Sequence, residues 1–199
     1  MCSRFTAGRK GLTPEEQRLE DEFVVAFQGL PRREIAPRDS TVVLARGRGG
    51  ILRPVTMRWG FERPWGVVFN ARSEEIGKAM WRESIEKRRC AIPMAAFFEW
   101  HKIGRRSTRY HFGAIDPLQD LWAAGVWEQT KAGGLDFSML TQAAPESIAW
   151  IHDRSPALLR VEEVIPFLDR QIEPVDFAGV DLMHAVDHED GTLTLPGLE

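Results

Sequence analysis

Cys90-Ala91-Ile92-Pro93-Met94-Ala95-Ala96-Phe97-Phe98-Glu99-Trp100 is the stretch on which the fold turns. It is apolar and aromatic, carries a single acid, and reads as a strand that is largely buried. Strands are expected on its C-terminal side at Thr108–Phe112, Leu121–Glu128 and Asp136–Thr141. On its N-terminal side, Thr41–Ala45 and Ile51–Met57 flank the glycine-rich turn 47–50 as a hairpin. Gly66–Phe69 reads as a short strand, and Ile35-Ala36-Pro37 is extended because a residue before proline avoids the α region. Helices are expected from Thr13-Pro14-Glu15-Glu16, a capped start, to about Phe27. Others are expected from Ser73 to about Lys87, over Pro145–Trp150 and over Val161–Leu168. The class is α+β: a single compact domain over residues 1–199 with a mainly antiparallel sheet. That sheet curls on itself into a barrel-like core with a few flanking helices. The acidic tail from about residue 174 has room for one or two late strands.

The chain has 199 residues, 43% apolar and 28% charged, as expected of a globular protein. No apolar run nears the roughly 18 residues of a membrane span. The start, MCSRFTAGRKG, has no apolar signal core, so a cytoplasmic location is expected. Two cysteines, Cys2 and Cys90, make no disulfide framework. The histidines show no metal-ligand spacing, so neither metal nor cofactor is expected. The net charge of −3 hides an asymmetry: residues 162–199 hold ten acids and one base, and residues 1–161 hold 25 bases and 19 acids. The basic part suits a polyanion or is simply solvated charge.

Four segments concentrate unusual residues. They are Met1-Cys2-Ser3-Arg4-Phe5; Arg58-Trp59-Gly60-Phe61 with Pro64-Trp65 and Asn70-Ala71-Arg72-Ser73-Glu74; Arg89 to Trp100; and Ile151-His152-Asp153-Arg154-Ser155-Pro156. If Met1 is removed, Cys2 carries a free α-amine and a thiol on adjacent atoms. The amine can attack an aldehyde to give an imine, and the sulfur can close a thiazolidine ring. Glu99, an acid in an aromatic run, is paired, at a strand end, or a functional carboxyl with a raised pKa. His152 is either structural or a proton carrier, and Asn70 either a turn residue or a site residue. Trp59 and Trp65 are core or a stacking surface. Cys90 reads as a buried small hydrophobe.

Taken together and in order, these segments resemble the SRAP family, the SOS-response-associated or abasic-site-processing proteins. That family starts Met-Cys-Gly-Arg-Phe, matched by Met1 to Phe5. Its Trp-Gly and Pro-Trp are matched by Trp59-Gly60 and Pro64-Trp65, and its Asn-Ala-Arg-x-Glu by Asn70 to Glu74. Its Arg-Cys-x-Ile-Pro and Phe-Tyr-Glu-Trp are matched between Arg89 and Trp100, and its Ile-His-Asp-Arg-Met-Pro by Ile151 to Pro156. Ala36-Pro37 matches a further short element. Ser3, Ala96 and Ser155 depart from the pattern, and Leu182–His188 stands where many members have a Val-Asn element.

The resemblance implies a covalent sensor of abasic sites in single-stranded DNA, acting in a DNA-damage response. Cys2 would capture the ring-opened aldehyde, with Asn70, Glu99 and His152 as its catalytic partners. Glu99 would move protons at the deoxyribose and His152 would assist imine formation. Asn70 would position the N-terminus. Arg4, Arg72 and Arg154 would hold phosphates, Trp59 would stack on bases, and Pro37, Gly60 and Pro156 would line the DNA path. A monomer is expected. Two other readings stand beside this one: a Cys-dependent peptidase that removes its own Met1, and a non-catalytic DNA-binding module with Cys2 inert.

Overall fold

The computed structural model describes residues 2–7, 34–116, 120–174, 180–187 and 193–194. The helix expected from Thr13 to Phe27 lies outside them. The central strand is longer than its apolar run: β8 spans Arg89–Ile103. Its apolar half is buried, and its end at Lys102 and Ile103 runs into solvent. The sheet is organised around it.

Upstream of β8 lie β1 (Phe5–Ala7), β2 (Glu34–Ile35), β3 (Ser40–Arg46) and β4 (Leu52–Trp59). Three short strands follow, β5 (Phe61–Arg63), β6 (Gly66–Val68) and β7 (Asn70–Arg72), and then helix α1 (Ala79–Lys87). Downstream come β9 (Arg106–Ala114), β10 (Leu121–Gln129), β11 (Leu135–Ala143) and helix α2 (Glu146–Ala149). Last are β12 (Arg154–Pro156), β13 (Leu158–Leu159), helix α3 (Val161–Leu168), β14 (Leu182–Asp187) and β15 (Leu193–Thr194).

Strand β8 pairs antiparallel with β10 and β3 over its first half. Over its second half it pairs with β9 and β1. β3 and β4 form the expected hairpin, and β10 and β11 another. β4 and β7 then pair parallel with β11. The pairings lead from β8 through β3, β4, β11 and β10 back to β8. The joins at β4–β11 and β3–β8 are only two residue pairs long, so the sheet curls on itself instead of forming an evenly laddered barrel. Gly125 permits one tight seam: a Cβ there would sit 2.6 Å from Ile92 and 3.0 Å from the Cys90 sulfur.

The α+β class with a mainly antiparallel, curled sheet is what the structure has. One helix differs. The segment expected as a single helix from Ser73 is a 3-10 turn, Ser73–Glu75, followed by α1 from Ala79. Gly77 separates them, and glycine interrupts a helix at a cost of about 1 kcal/mol. The buried face of α1, with Trp81, Ser84 and Ile85, begins only after that break. α1 and α3 both cover β8 and β10.

Candidate active site and nucleic-acid interface

The chain start is delivered to Glu99 by strand pairing. β1 runs antiparallel to β8, with Phe5 opposite Phe97, and the amide of Phe98 donates to the carbonyl of Arg4 at 3.1 Å. Continuing that direction carries Ser3 and Cys2 along β8 toward Glu99 and Trp100. Phe5 anchors the approach: it is fully buried and packs edge-on to Trp59 at 5.0 Å between ring centres.

Asn70 fixes the residue that follows Met1. It opens β7, in register with Met139 of β11, and its Nδ2 donates to the carbonyl oxygen of Cys2 at 2.7 Å. Its other side-chain atom, Oδ1, is buried with no hydrogen-bond partner among the described residues. The Cys2 thiol is buried and donates to the Arg4 carbonyl at 3.4 Å. Burial, then the nearby Glu99 charge, pushes the thiol pKa up to about 12. The sulfur is therefore a thiol, not a thiolate, at neutral pH.

Glu99 is 2% exposed. Burial, and behind it the charge of Asp153, raises its pKa from 4.5 to about 7. It sits in a cleft of about 760 Å³ lined by Ser3, Arg4, Glu99, His101, Trp150 and His152, among others.

His152 stands on the turn after α2, where Ile148 and Ile151 are buried. Its Nδ1 accepts the backbone N–H of Arg154 at 3.0 Å, so the neutral ring carries its proton on Nε2. Burial holds its pKa below the usual histidine value, although the exposed Asp153 carboxylate lies 2.9 Å from the same nitrogen and works the other way. His152 is thus mostly neutral at pH 7 and can accept a proton.

Several residues assigned to DNA lie elsewhere. Trp59 is fully buried, its indole N–H donates to the Phe69 carbonyl at 2.8 Å, and it packs among Phe5, Phe69 and Phe137. It has no free face, so it is core and not a stacking surface. Gly60 is buried at φ +115°, and a Cβ there would lie 2.2 Å from Val67; it makes the bend between β4 and β5. Pro156 is buried opposite Thr141 in β12.

Arg154 is 9% exposed. Its guanidinium grips both oxygens of Glu74, at 2.6 and 2.9 Å, and donates to the Thr141 carbonyl at 2.6 Å. It is an internal clamp and not a phosphate ligand. The clamp joins the turn after Asn70 to the loop that carries His152. Arg154 is also the main reason the Glu74 pKa is lowered.

Three expected positions remain accessible. Arg72 is exposed. Arg4 is half-exposed at the cleft, 3.3 Å from Glu34. Pro37 lies at the surface in the turn 36–39, whose Arg38 amide donates to the Trp59 carbonyl at 2.7 Å. Cys90 is buried, as expected. Among the described residues no group of histidine, cysteine and acidic side chains could hold a metal ion. No helix among them is long and apolar enough to cross a membrane.

A family profile described as SOS response associated peptidase (SRAP) matches residues 1–192. The chain belongs to the SRAP family. This SRAP chain is 27% identical over 203 residues to the abasic site processing protein YoqW of Bacillus subtilis, covering 96% of this chain and 89% of that protein. It is 32% identical over 114 residues to the abasic site processing protein YMR114C of Saccharomyces cerevisiae, but it spans only 31% of that longer protein. Solved structures share the fold. A protein from Bacteroides thetaiotaomicron aligns with a TM-score of 0.70 at 20% identity, covering 84% of this chain and 83% of that one. One from Bordetella bronchiseptica aligns with a TM-score of 0.70 at 22% identity, covering 93% and 99%.

Two features of the structure are not legible in the sequence. The Glu74–Arg154 clamp joins two motifs 80 positions apart, and opposite charge in separate motifs was the only signal. Of the pair Trp59 and Trp65, the exposed ring is Trp65, at 73%.

Proposed function

We propose that this protein processes abasic sites in single-stranded DNA by covalent capture on Cys2. The observation that carries the reading is the hydrogen bond from Asn70 to the Cys2 carbonyl. It holds the residue that becomes the N-terminus beside a buried Glu99 with a near-neutral pKa. The names of the relatives from Bacillus and yeast support abasic sites as the target.

The chemistry needs Met1 removed, because an amide nitrogen cannot form an imine. The thiol pKa of about 12 makes the freed amine, not the sulfur, the first nucleophile. The amine attacks C1′ of the ring-opened sugar, and neutral His152 accepts the proton the nitrogen loses and returns it to the alkoxide oxygen, leaving a neutral carbinolamine and a neutral imidazole. Protonated Glu99 delivers a proton to the carbinolamine oxygen, which leaves as water and gives the iminium. The Cys2 sulfur then adds to that carbon and releases its proton to the Glu99 carboxylate. The product is a thiazolidine, with one water lost overall. A carboxyl with a pKa near 7 suits both the giving and the taking step. Arg4 and Arg72 would hold phosphates, and Trp65, with its open ring, would take the stacking role assigned to Trp59.

The family description favours a preceding peptidase step in which the same Cys2 takes part in releasing Met1. Denaturing gel electrophoresis with single-stranded DNA tests the main reading. A slow-migrating species is expected with abasic DNA and not with intact or borohydride-reduced abasic DNA. A protein that binds all three non-covalently is a DNA-binding module, and the reading fails.

A further inference from the structure

We infer that Trp150, with His101, Tyr110 and His184 around it, forms a stacking platform for a nucleobase next to the lesion. The inference rests on the reading of the cleft as the abasic-DNA site. It adds a subsite that neither the family motifs nor the reaction requires.

Trp150 follows α2, whose neighbours Ile148 and Ile151 are buried. Trp150 is turned the other way and is 47% exposed. Its position is nevertheless fixed. The indole N–H donates to the Ser147 carbonyl at 2.9 Å, so its polar group is already satisfied within its own turn. Three rings abut it: His101 and Tyr110 at 5.2 Å between centres, and His184 at 5.9 Å. All three meet it at steep angles, 88°, 83° and 64°. Tyr110 and His184 lie within 6.5 Å of each other, which closes the cluster.

A large aromatic held this firmly with about half its surface open is a preformed stacking surface. Its location names the occupant. Trp150 and His101 line the same cleft as Ser3, Arg4, Glu99 and His152. A single strand whose abasic sugar reaches Glu99 has its next base within that cleft. Any base suits, because every base presents a π-face. The rings around Trp150 come from three strands: His101 lies near the end of β8, Tyr110 in β9, and His184 in β14. β14 is the segment that replaces the usual Val-Asn element, so this subsite is a property of this chain.

The test uses Met1-free protein and a labelled single strand bearing tetrahydrofuran, an unreactive abasic analogue. Trp150→Ala is expected to bind it about 5- to 150-fold more weakly, the range one base–aromatic stack carries. Trp150→Phe, which keeps a ring, should bind close to the parent. On a strand whose flanking nucleotides also lack bases, parent and Trp150→Ala should bind alike. Circular dichroism establishes that each variant is folded. Unchanged affinity of Trp150→Ala overturns the platform. So does equal weakening on the strand without flanking bases, because the residue is then structural. Crosslinking of true abasic DNA by the same proteins separates the two claims. A parent that binds through Trp150 without crosslinking refutes the capture chemistry and leaves the platform standing. A parent that crosslinks while Trp150→Ala binds normally refutes only the platform.

Discussion

Glu99→Gln removes one titrating proton from a buried site and leaves its shape. The structure sets the size of the effect. The Glu99 pKa is raised from 4.5 to about 7 by burial. The residue is 2% exposed, so water offers little relief. At about 1.4 kcal/mol per pKa unit, ionising Glu99 inside the fold costs about 3 kcal/mol. The sign follows from proton uptake. Between pH 4.5 and about 7 the folded chain holds a proton that the unfolded chain has lost. Stability from this group is fully present below the lower value, falls as pH rises through the window, and is constant above it. Urea unfolding of parent and variant from pH 4.5 to 8.5 reads it. The parent should lose about 3 kcal/mol more than Glu99→Gln across that range. Capture rates should lose their inflection near neutrality in the variant. Parallel stability profiles would refute the raised pKa, and with it the proton-transfer role.

Other outcomes follow from the same geometry. Cys2→Ala should abolish capture and Cys90→Ala should leave it intact, both read on denaturing gels; loss in a folded Cys90→Ala would move the chemistry to the wrong sulfur. Arg72→Ala should lower the log–log salt slope of single-strand binding by about 0.7. Arg154→Ala should leave that slope unchanged but lower stability by about 1–2 kcal/mol, because the Thr141 carbonyl loses its donor while the half-exposed Glu74 regains water. Trp59→Ala should destabilise by about 3–5 kcal/mol, the cost of a large core cavity, and a fully stable variant with weakened DNA binding would restore it as a stacking residue.

The strands were legible because their apolar and β-branched runs are long, and Val161–Leu168 was legible to the residue. The short β7 was not: three residues, Asn70–Arg72, carry no period of their own and are strand only because β11 lies beside them. Cys2, Glu99 and Asn70 could be picked out by residue type, but not the bond from Asn70 to Cys2, which spans 68 positions. Trp59 and Trp65 show the limit best. Each is followed by a glycine, and only packing against Phe5 and Phe137 buries Trp59 while Trp65 stands in water. Arg154 failed for the same reason: a guanidinium looks alike in sequence whether it meets a phosphate or Glu74.

The central claim is that the α-amine of Cys2 forms the bond to DNA. Intact-mass spectrometry of chains beginning at Cys2 and chains retaining Met1, each mixed with abasic single-stranded DNA, tests it most directly. Chains beginning at Cys2 should gain the mass of the strand less one water, stably under denaturation, and chains retaining Met1 should gain nothing that survives it. A stable adduct on chains that still carry Met1 would contradict the account, because their Cys2 nitrogen is an amide and cannot form an imine.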